Sequence, residues 1–344
     1  MIFQSFIHTD QASTTTLSEI KRLHAVVGTA DFFGIFAYAT QSGVASFDLE
    51  MGGDFWVNTP SRWLFGLDYG RTQPQALRLM CDKLNAEVRV HDGVWVVGQK
   101  GFVPRRDFHA KMSILLNPAT ACTGLVIGSG NFSSNGLRRS IEAGASVYVD
   151  DAAGYEVCLK TSVDAAEALW QGAVPVTDLL DQYEKNWTAL FPVPVEDGLA
   201  VPPQQPGAAT AFWIEAGYVT KNRGPDRPGN QIDLPRGMGR YFGFDYPNEL
   251  PPNTFIGVIN FRTPIGDPAS NNLRLGNNMM EKVSLPIPET HGFDLYDGKV
   301  LIFQKDEDGF FLIALEQDDF DRAFSMRVSE VRVMGSGRRY GRID

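Results

Sequence analysis

Two short runs in the first half of the chain carry side chains suited to phosphoryl chemistry. His109-Ala110-Lys111 sets an imidazole and an ammonium two residues apart. Gly128-Ser129-Gly130-Asn131 follows, its Asn twenty residues beyond the Lys, and Glu142 comes eleven residues later. Residues two apart in a strand share a face, so the spacing predicts His109 and Lys111 projecting together from one strand edge. A neutral imidazole can attack phosphorus while the ammonium neutralises charge on the non-bridging oxygens. The small residues of the second run let backbone approach closely, and Asn131 adds a side-chain donor. Glu142 can hydrogen-bond one imidazole nitrogen and so set its tautomer. Ser129 fits either a phosphate-binding hydroxyl or a plain tight turn. Arg138 and Arg139 fit either a phosphate backbone or a solvated helix face. The chain has no HxH, no HExxH and no acidic pair followed by ExK, and its three cysteines (Cys81, Cys122, Cys158) form no CxxC. Neither a metal-ligand spacing nor a disulfide framework is therefore expected.

Strands and helices must position these groups. The capping-box pattern at Thr16–Glu19 predicts a helix through about Val27. Strands are predicted over 32–40, 87–90, 94–97, 108–116, 124–128 and 145–149. Helices are predicted over 75–84, 163–170 and 176–191. Alternation of the two types indicates an α/β sandwich. Residues 192–209, with five prolines up to Pro206, read as a linker. Beyond it come strand-like runs at 211–218, 241–244, 254–261, 300–303, 310–315 and 328–333, separated by Gly, Pro, Asn and Asp. This is the pattern of an all-β barrel or sandwich. The expected organisation is a catalytic domain over 1–191, a linker over 192–209 and a second domain over 210–344. Aromatic residues such as Phe212, Trp213, Tyr241 and Phe242 are expected in that second core, and Trp187 in the first.

The 109–142 set resembles the HxK–GSxN signature of the phospholipase D superfamily. The superfamily pattern has an Asp shortly after the Lys; here the residues after Lys111 are MSILLNP. The chain resembles instead the nuclease branch that lacks this Asp and carries a later Glu, matched by Glu142. In order and length it is similar to phospholipase D-type restriction endonucleases, which join an HxK domain through a linker to a B3-like pseudobarrel that recognises double-stranded DNA. None of His8, His24, His91 and His291 is followed by a Lys two positions on. A chain with one motif resembles members that form a homodimer with one site across the two-fold interface. The resemblance then implies that one His109 forms a phosphohistidine, that the partner's His109 serves as acid and base, and that no metal cofactor is required. Some similar restriction systems work with a helicase-like ATPase. This chain has no GxxxxGK[ST] run, so ATP use would come from a partner. A lipid phosphodiesterase and an inactive DNA-binding regulator are the alternative classes.

Charge distribution bears on the partner. The chain is 43% hydrophobic and 21% charged, a globular balance, with net charge −10. That excess of acid argues against binding nucleic acid through bulk charge. The charges are uneven, however. Residues 151–200 hold nine acids against Lys160 and Lys185. Residues 221–240 hold Lys221, Arg223, Arg227, Arg236 and Arg240 against Asp226 and Asp233. The stretch 332–342 holds Arg332, Arg338, Arg339 and Arg342 with no acid. Local charge decides phosphate contact. The 220–236 segment also carries Asn222, Asn230 and Gln231, which pair with adenine edges as Arg pairs with guanine. It resembles one of the two DNA-gripping arms of a B3-like domain. The segment 271–278, with Asn272, Arg274, Asn277 and Asn278, resembles the other. No run approaches the roughly 18 apolar residues of a membrane span, and the N-terminus lacks a signal-peptide pattern. A cytoplasmic location is expected.

Overall fold

The computed structural model describes residues 1–9, 14–190, 211–224, 226–247, 249–307 and 309–344. It divides into two compact units, Met1–Pro192 and Val193–Asp344. The expected linker, 192–209, lies outside the described residues.

The first unit is built on one mixed sheet of eight strands. In chain order these are β1 (Ile2–Ile7), β2 (Asp31–Phe36), β3 (Ser61–Phe65), β4 (Ala86–Val90), β5 (Lys111–Asn117), β6 (Cys122–Gly128), β7 (Ala143–Val149) and β8 (Val174–Pro175). Their order across the sheet is β1-β7-β6-β5-β2-β3-β4-β8. The pairs β2–β3 and β3–β4 are parallel and the others antiparallel. The helices are α1 (Thr16–Val27), α2 (Gln41–Met51), α3 (Gly53–Asn58), α4 (Pro74–Cys81), α5 (Gly93–Gly98), α6 (Ala152–Cys158), α7 (Lys160–Gln171) and α8 (Leu180–Ala189). Alternation along β2 sends Phe32 and Phe36 to one face and Phe33 and Ile35 to the other. The first pair packs with Leu17, Ile20 and Leu23 of α1, Phe47 of α2 and Leu77 of α4. The second packs with Val163, Ala166 and Trp170 of α7. Both faces are covered, which makes the unit an α/β sandwich.

Local structure departs from the sequence reading at several places in this unit: β2 ends at Phe36 rather than at residue 40, and α4 ends at Cys81 rather than at residue 84. The capping box of α1 is formed by Thr15 and Ser18, one residue earlier than expected. Residues 94–97 are helical rather than extended: a short apolar run does not distinguish the two, and here Gly93 and Gly98 bound a single turn that buries Val96 and Val97 and exposes Val94 and Trp95. The strand expected from 108 begins at Lys111, so His109 stands in the segment that leads into β5.

The second unit is a nine-stranded sheet with order β10-β13-β12-β11-β15-β14-β9-β17-β16. Its strands are β9 (Ala211–Glu215), β10 (Gln231–Leu234), β11 (Phe255–Arg262), β12 (Ala269–Leu275), β13 (Glu281–Ser284), β14 (Val300–Asp306), β15 (Gly309–Leu315), β16 (Val328–Val333) and β17 (Arg339–Ile343). The helix α9 (Gln317–Phe324) covers Trp213, Val300 and Ile302 with Phe320. The other face buries Phe212, Phe261, Leu273, Phe303 and Leu312. Residues 241–244 form no strand. Tyr241 and Phe242 instead plug the core from a turn, their rings against Phe303 and Phe310, and Tyr241 Oη donates to Phe303 O at 2.8 Å. Glu281, fully buried, holds that turn by accepting Gly237 N and Gly239 N at 2.5 Å each.

Candidate active site

Sheet register brings the sequence-distant residues together. Met112 pairs with Ile127 and Gly128 with Gly144, so the start of β5, the end of β6 and the start of β7 lie side by side at one edge of the sheet. Lys111 opens β5, Ser129 and Asn131 follow β6, and Glu142 precedes β7. The Ser129 hydroxyl donates to the Glu142 carboxylate and accepts from Ala143 N at 3.1 Å, while Ser129 N donates to Ala143 O at 3.0 Å. The hydroxyl thus ties the loop after β6 to the residues that lead into β7.

Lys111 is half-buried, and its Nζ donates to the His109 carbonyl at 2.8 Å. Burial holds its pKa below the ordinary lysine value; the nearby Glu142 carboxylate opposes that shift and Arg71 adds to it. The His109 ring is exposed, and among the described residues it makes no hydrogen bond. Glu142 was expected to orient this imidazole. Within one copy of the chain its carboxylate is engaged by Ser129 instead. The reason is proximity: Ser129 and Glu142 flank the paired Gly128–Gly144 rung, while His109 enters from beyond β5.

The Asn131 loop is held by backbone-on-backbone packing. A Cβ on Gly136 would sit 2.5 Å from Asn131 N, and one on Gly130 would collide with the Gly136 carbonyl. Residues 135–139 wind as a π-turn, with Ser140 N bonded to Asn135 O at 2.9 Å; such turns recur at functional sites. Phe132 N donates to Tyr38 O at 3.2 Å and Thr40 N to Phe132 O at 2.9 Å, fastening the loop to the segment after β2. The Asn131 Oδ1 is buried with no hydrogen-bond partner among the described residues.

Sequence reasoning missed the groups behind this edge. His8 is buried under the Glu142 loop. Its backbone N–H donates to Glu142 O at 2.8 Å, and its ring Nε2 accepts from Thr16 Oγ1 at 3.1 Å. Burial pushes the His8 pKa down. Asp68, also buried, accepts Phe108 N at 2.7 Å, and Phe108 stacks on His91 with ring centroids 4.6 Å apart. Tyr69 Oη donates to Asp107 Oδ1 at 2.8 Å, and Arg105 pairs with Asp92. The segment that presents His109 is thus tied down at 105, 107 and 108. Burial pushes the Asp68 carboxyl pKa up, while the Phe108 N–H and the His91 and His109 imidazoles counteract it. No sequence spacing marks these partners, because they come from turns after β3 and β4.

In the second unit the expected base-reading residues divide. Arg223 is spent on structure: it donates to Glu289 Oε2 at 2.7 Å and to Pro228 O at 3.1 Å. Asn222 and Asn230 clip one another at 2.9 and 3.2 Å, and Asn230 is buried against Leu285 O at 2.7 Å. Asn278 is a turn residue bonded to Asp233 and Met280 N. Arg236 and Gln231 are half-buried. Lys221, Arg227, Asn272, Arg274 and Asn277 stand exposed. The 271–278 segment is strand β12 followed by a turn, so Asn272 and Arg274 share one exposed sheet face. The basic stretch at 332–342 is also consumed by the fold. Arg339 pairs with Glu215, Arg342 with Glu330 at 2.9 Å, and Arg338 caps the Ala216 carbonyl at 2.9 Å. Among the described residues no three His, Cys, Asp or Glu gather as a metal site would need, and no helix is long and apolar enough to cross a membrane.

No sequence family matches this chain, and no curated protein does. Among solved structures it is similar to NucT from Helicobacter pylori, at 14% identity and TM-score 0.33, over 51% of this chain and 99% of that one. It is similar to the phospholipase D family member Nuc from Salmonella typhimurium, at 12% identity and TM-score 0.34, over 51% of this chain and 97% of that one. A third likeness is to phosphatidylserine synthase from Haemophilus influenzae, at 12% identity and TM-score 0.38, over 55% of this chain and 44% of that one. These likenesses are remote, and the chemistry of the site rests on its own residues.

Proposed function

We propose that this chain is a sequence-specific DNA endonuclease of the phospholipase D type, cutting phosphodiester bonds through a histidine intermediate. The supporting observation is the gathering of Lys111, Ser129, Asn131 and Glu142 at one sheet edge beside the exposed imidazole of His109. In the proposed reaction an unprotonated His109 nitrogen bonds to phosphorus as the bond to the leaving nucleoside oxygen breaks. That oxygen takes a proton from the imidazolium of the partner's His109. Water then attacks the phosphohistidine, giving its proton to the same imidazole and releasing His109. Lys111 and Asn131 hold the non-bridging oxygens. Because His109 is the nucleophile, no metal-activated water is needed.

One motif per chain calls for two copies. Exposed Ile7, Ile127 and Ile141, the last 80% exposed, flank the Ser129–Glu142 pair. Apolar groups beside a polar site suit a second copy of the chain across a two-fold axis. The second unit supplies recognition of double-stranded DNA in the manner of a B3-like domain, with Lys221, Arg227, Gln231, Asn272, Arg274 and Asn277 as its reading residues. A helicase-like ATPase partner, where one exists, would supply any ATP use. The location that fits is the cytoplasm.

The deciding experiment is incubation with plasmid DNA in EDTA, with the cut ends mapped. Discrete ends that vanish with His109→Ala support the reading. Loss of cutting in EDTA overturns the mechanism, and choline release from phosphatidylcholine without DNA cleavage replaces the substrate.

A further inference from the structure

The turn after β3 is both constrained and exposed. Tyr69 takes a left-handed φ of +57° and Gly70 one of +70°, yet Tyr69 is 46% exposed. Left-handed backbone is unfavourable for a side chain as bulky as tyrosine, and such residues cluster at ligand clamps. Several bonds hold the turn in place. Trp187 Nε1 donates to Gly70 O at 2.7 Å, Asp68 accepts Phe108 N, and Tyr69 Oη reaches Asp107 at 2.8 Å. Beyond Gly70 stands Arg71, exposed, with its guanidinium carbon 5.8 Å from the centre of the Tyr69 ring. Among the described residues Arg71 makes no ion pair. The nearest catalytic cation is Lys111, whose pKa Arg71 helps to lower.

We infer that Arg71, steadied by the Tyr69 ring, binds a second phosphate next to the scissile one on a nucleic-acid strand. The sheet order explains why a second phosphate is needed. Arg71 follows β3, and Lys111 opens β5 with β2 between them. Ser129, Asn131 and Glu142 adjoin β6 and β7 on the other side of β5, so Arg71 stands across the Lys111 strand from the residues that would hold the scissile phosphate. A lipid headgroup diester offers one phosphate; a polynucleotide offers the next at every residue. The subsite therefore selects a polymer.

The inference rests on the phosphodiesterase reading of the site, and two measurements on the full chain separate their failures. The first compares kcat/KM for a short oligothymidylate with that for bis(p-nitrophenyl) phosphate, which has one phosphate. In Arg71→Ala the ratio should fall about tenfold, and Arg71→Lys should keep part of it. The second measures oligothymidylate binding against salt in the His109→Ala background. Adding Arg71→Ala should flatten the log–log slope by about 0.7. An unchanged ratio together with an unchanged slope overturns the subsite, even with hydrolysis intact. A flattened slope in a protein that hydrolyses neither substrate keeps the subsite and overturns the phosphodiesterase reading.

Discussion

Asp68→Ala tests whether the support behind His109 is what places it. Asp68 is buried and accepts the Phe108 N–H at 2.7 Å, one residue before His109. Removing the carboxylate leaves that N–H buried and unpaired, which costs about 1–3 kcal/mol. At roughly 2–4 °C per kcal/mol for a unit of this size, a central loss of about 2 kcal/mol lowers the melting temperature by about 4–8 °C. A shift of about 1 Å in the nucleophile costs on the order of a hundredfold in rate, so turnover should fall by about ten- to a hundredfold. Asp68→Asn keeps an acceptor for Phe108 N and should stay within about 1 kcal/mol of wild type. Its pH behaviour adds a sign. Burial raises the folded-state pKa of Asp68 above its ordinary 3.8. Its contribution to stability is therefore present below that value and is lost as pH rises through the folded pKa. Asp68→Asn does not titrate, so its stability relative to wild type should improve from about pH 4 towards neutrality. Calorimetry across that range and initial rates on a cleaved plasmid measure both effects. The reasoning fails if Asp68→Ala melts with wild type, or if Asp68→Asn falls as far as Asp68→Ala.

Other predictions follow from the same geometry. His109→Ala should abolish cleavage while site-specific binding in a gel-shift assay persists; residual cutting would refute the nucleophile. Lys111→Ala should lower kcat by about a hundred- to a thousandfold. The lowered lysine pKa places the alkaline limb of the wild-type rate profile below the ordinary value of 10.5, and a limb above it would contradict the burial of Lys111. Ser129→Ala and Glu142→Ala should be non-additive in a double-mutant cycle of turnover, because each removes the same hydrogen bond. Arg223→Ala should destabilise the second unit by about 1–2 kcal/mol, through its bonds to Glu289 and Pro228. Arg274→Ala should instead leave stability within about 0.5 kcal/mol and weaken DNA binding in an anisotropy titration.

Some of this was legible one residue at a time. The strands around residues 124–128 and 145–149 and the helix through Val27 follow from local pattern, since apolar periodicity and capping act within a few residues. The helix at 94–97 and the turn at 241–244 were not legible. Short apolar runs satisfy a strand or a buried turn equally, and distant rings settle the choice. The partners of the loop residues were not legible either: Arg223, Asn222, Asn230 and Arg339 carry the residue types of a DNA-reading surface, and each has a partner within the fold that lies far off in sequence or across a turn.

By itself the sequence determined which groups exist and how far apart they lie: an HxK, a GSGN twenty residues on, a Glu eleven further, and one such set per chain. Those facts need only covalent order. The tertiary structure decided who touches whom. Strand register put Ser129 rather than His109 on Glu142, and the sheet brought Asp68 and Tyr69 to the segment that presents His109 from about forty residues upstream. Partner choice of this kind depends on which strand edges end together, a property of the whole sheet that no local run of residues encodes.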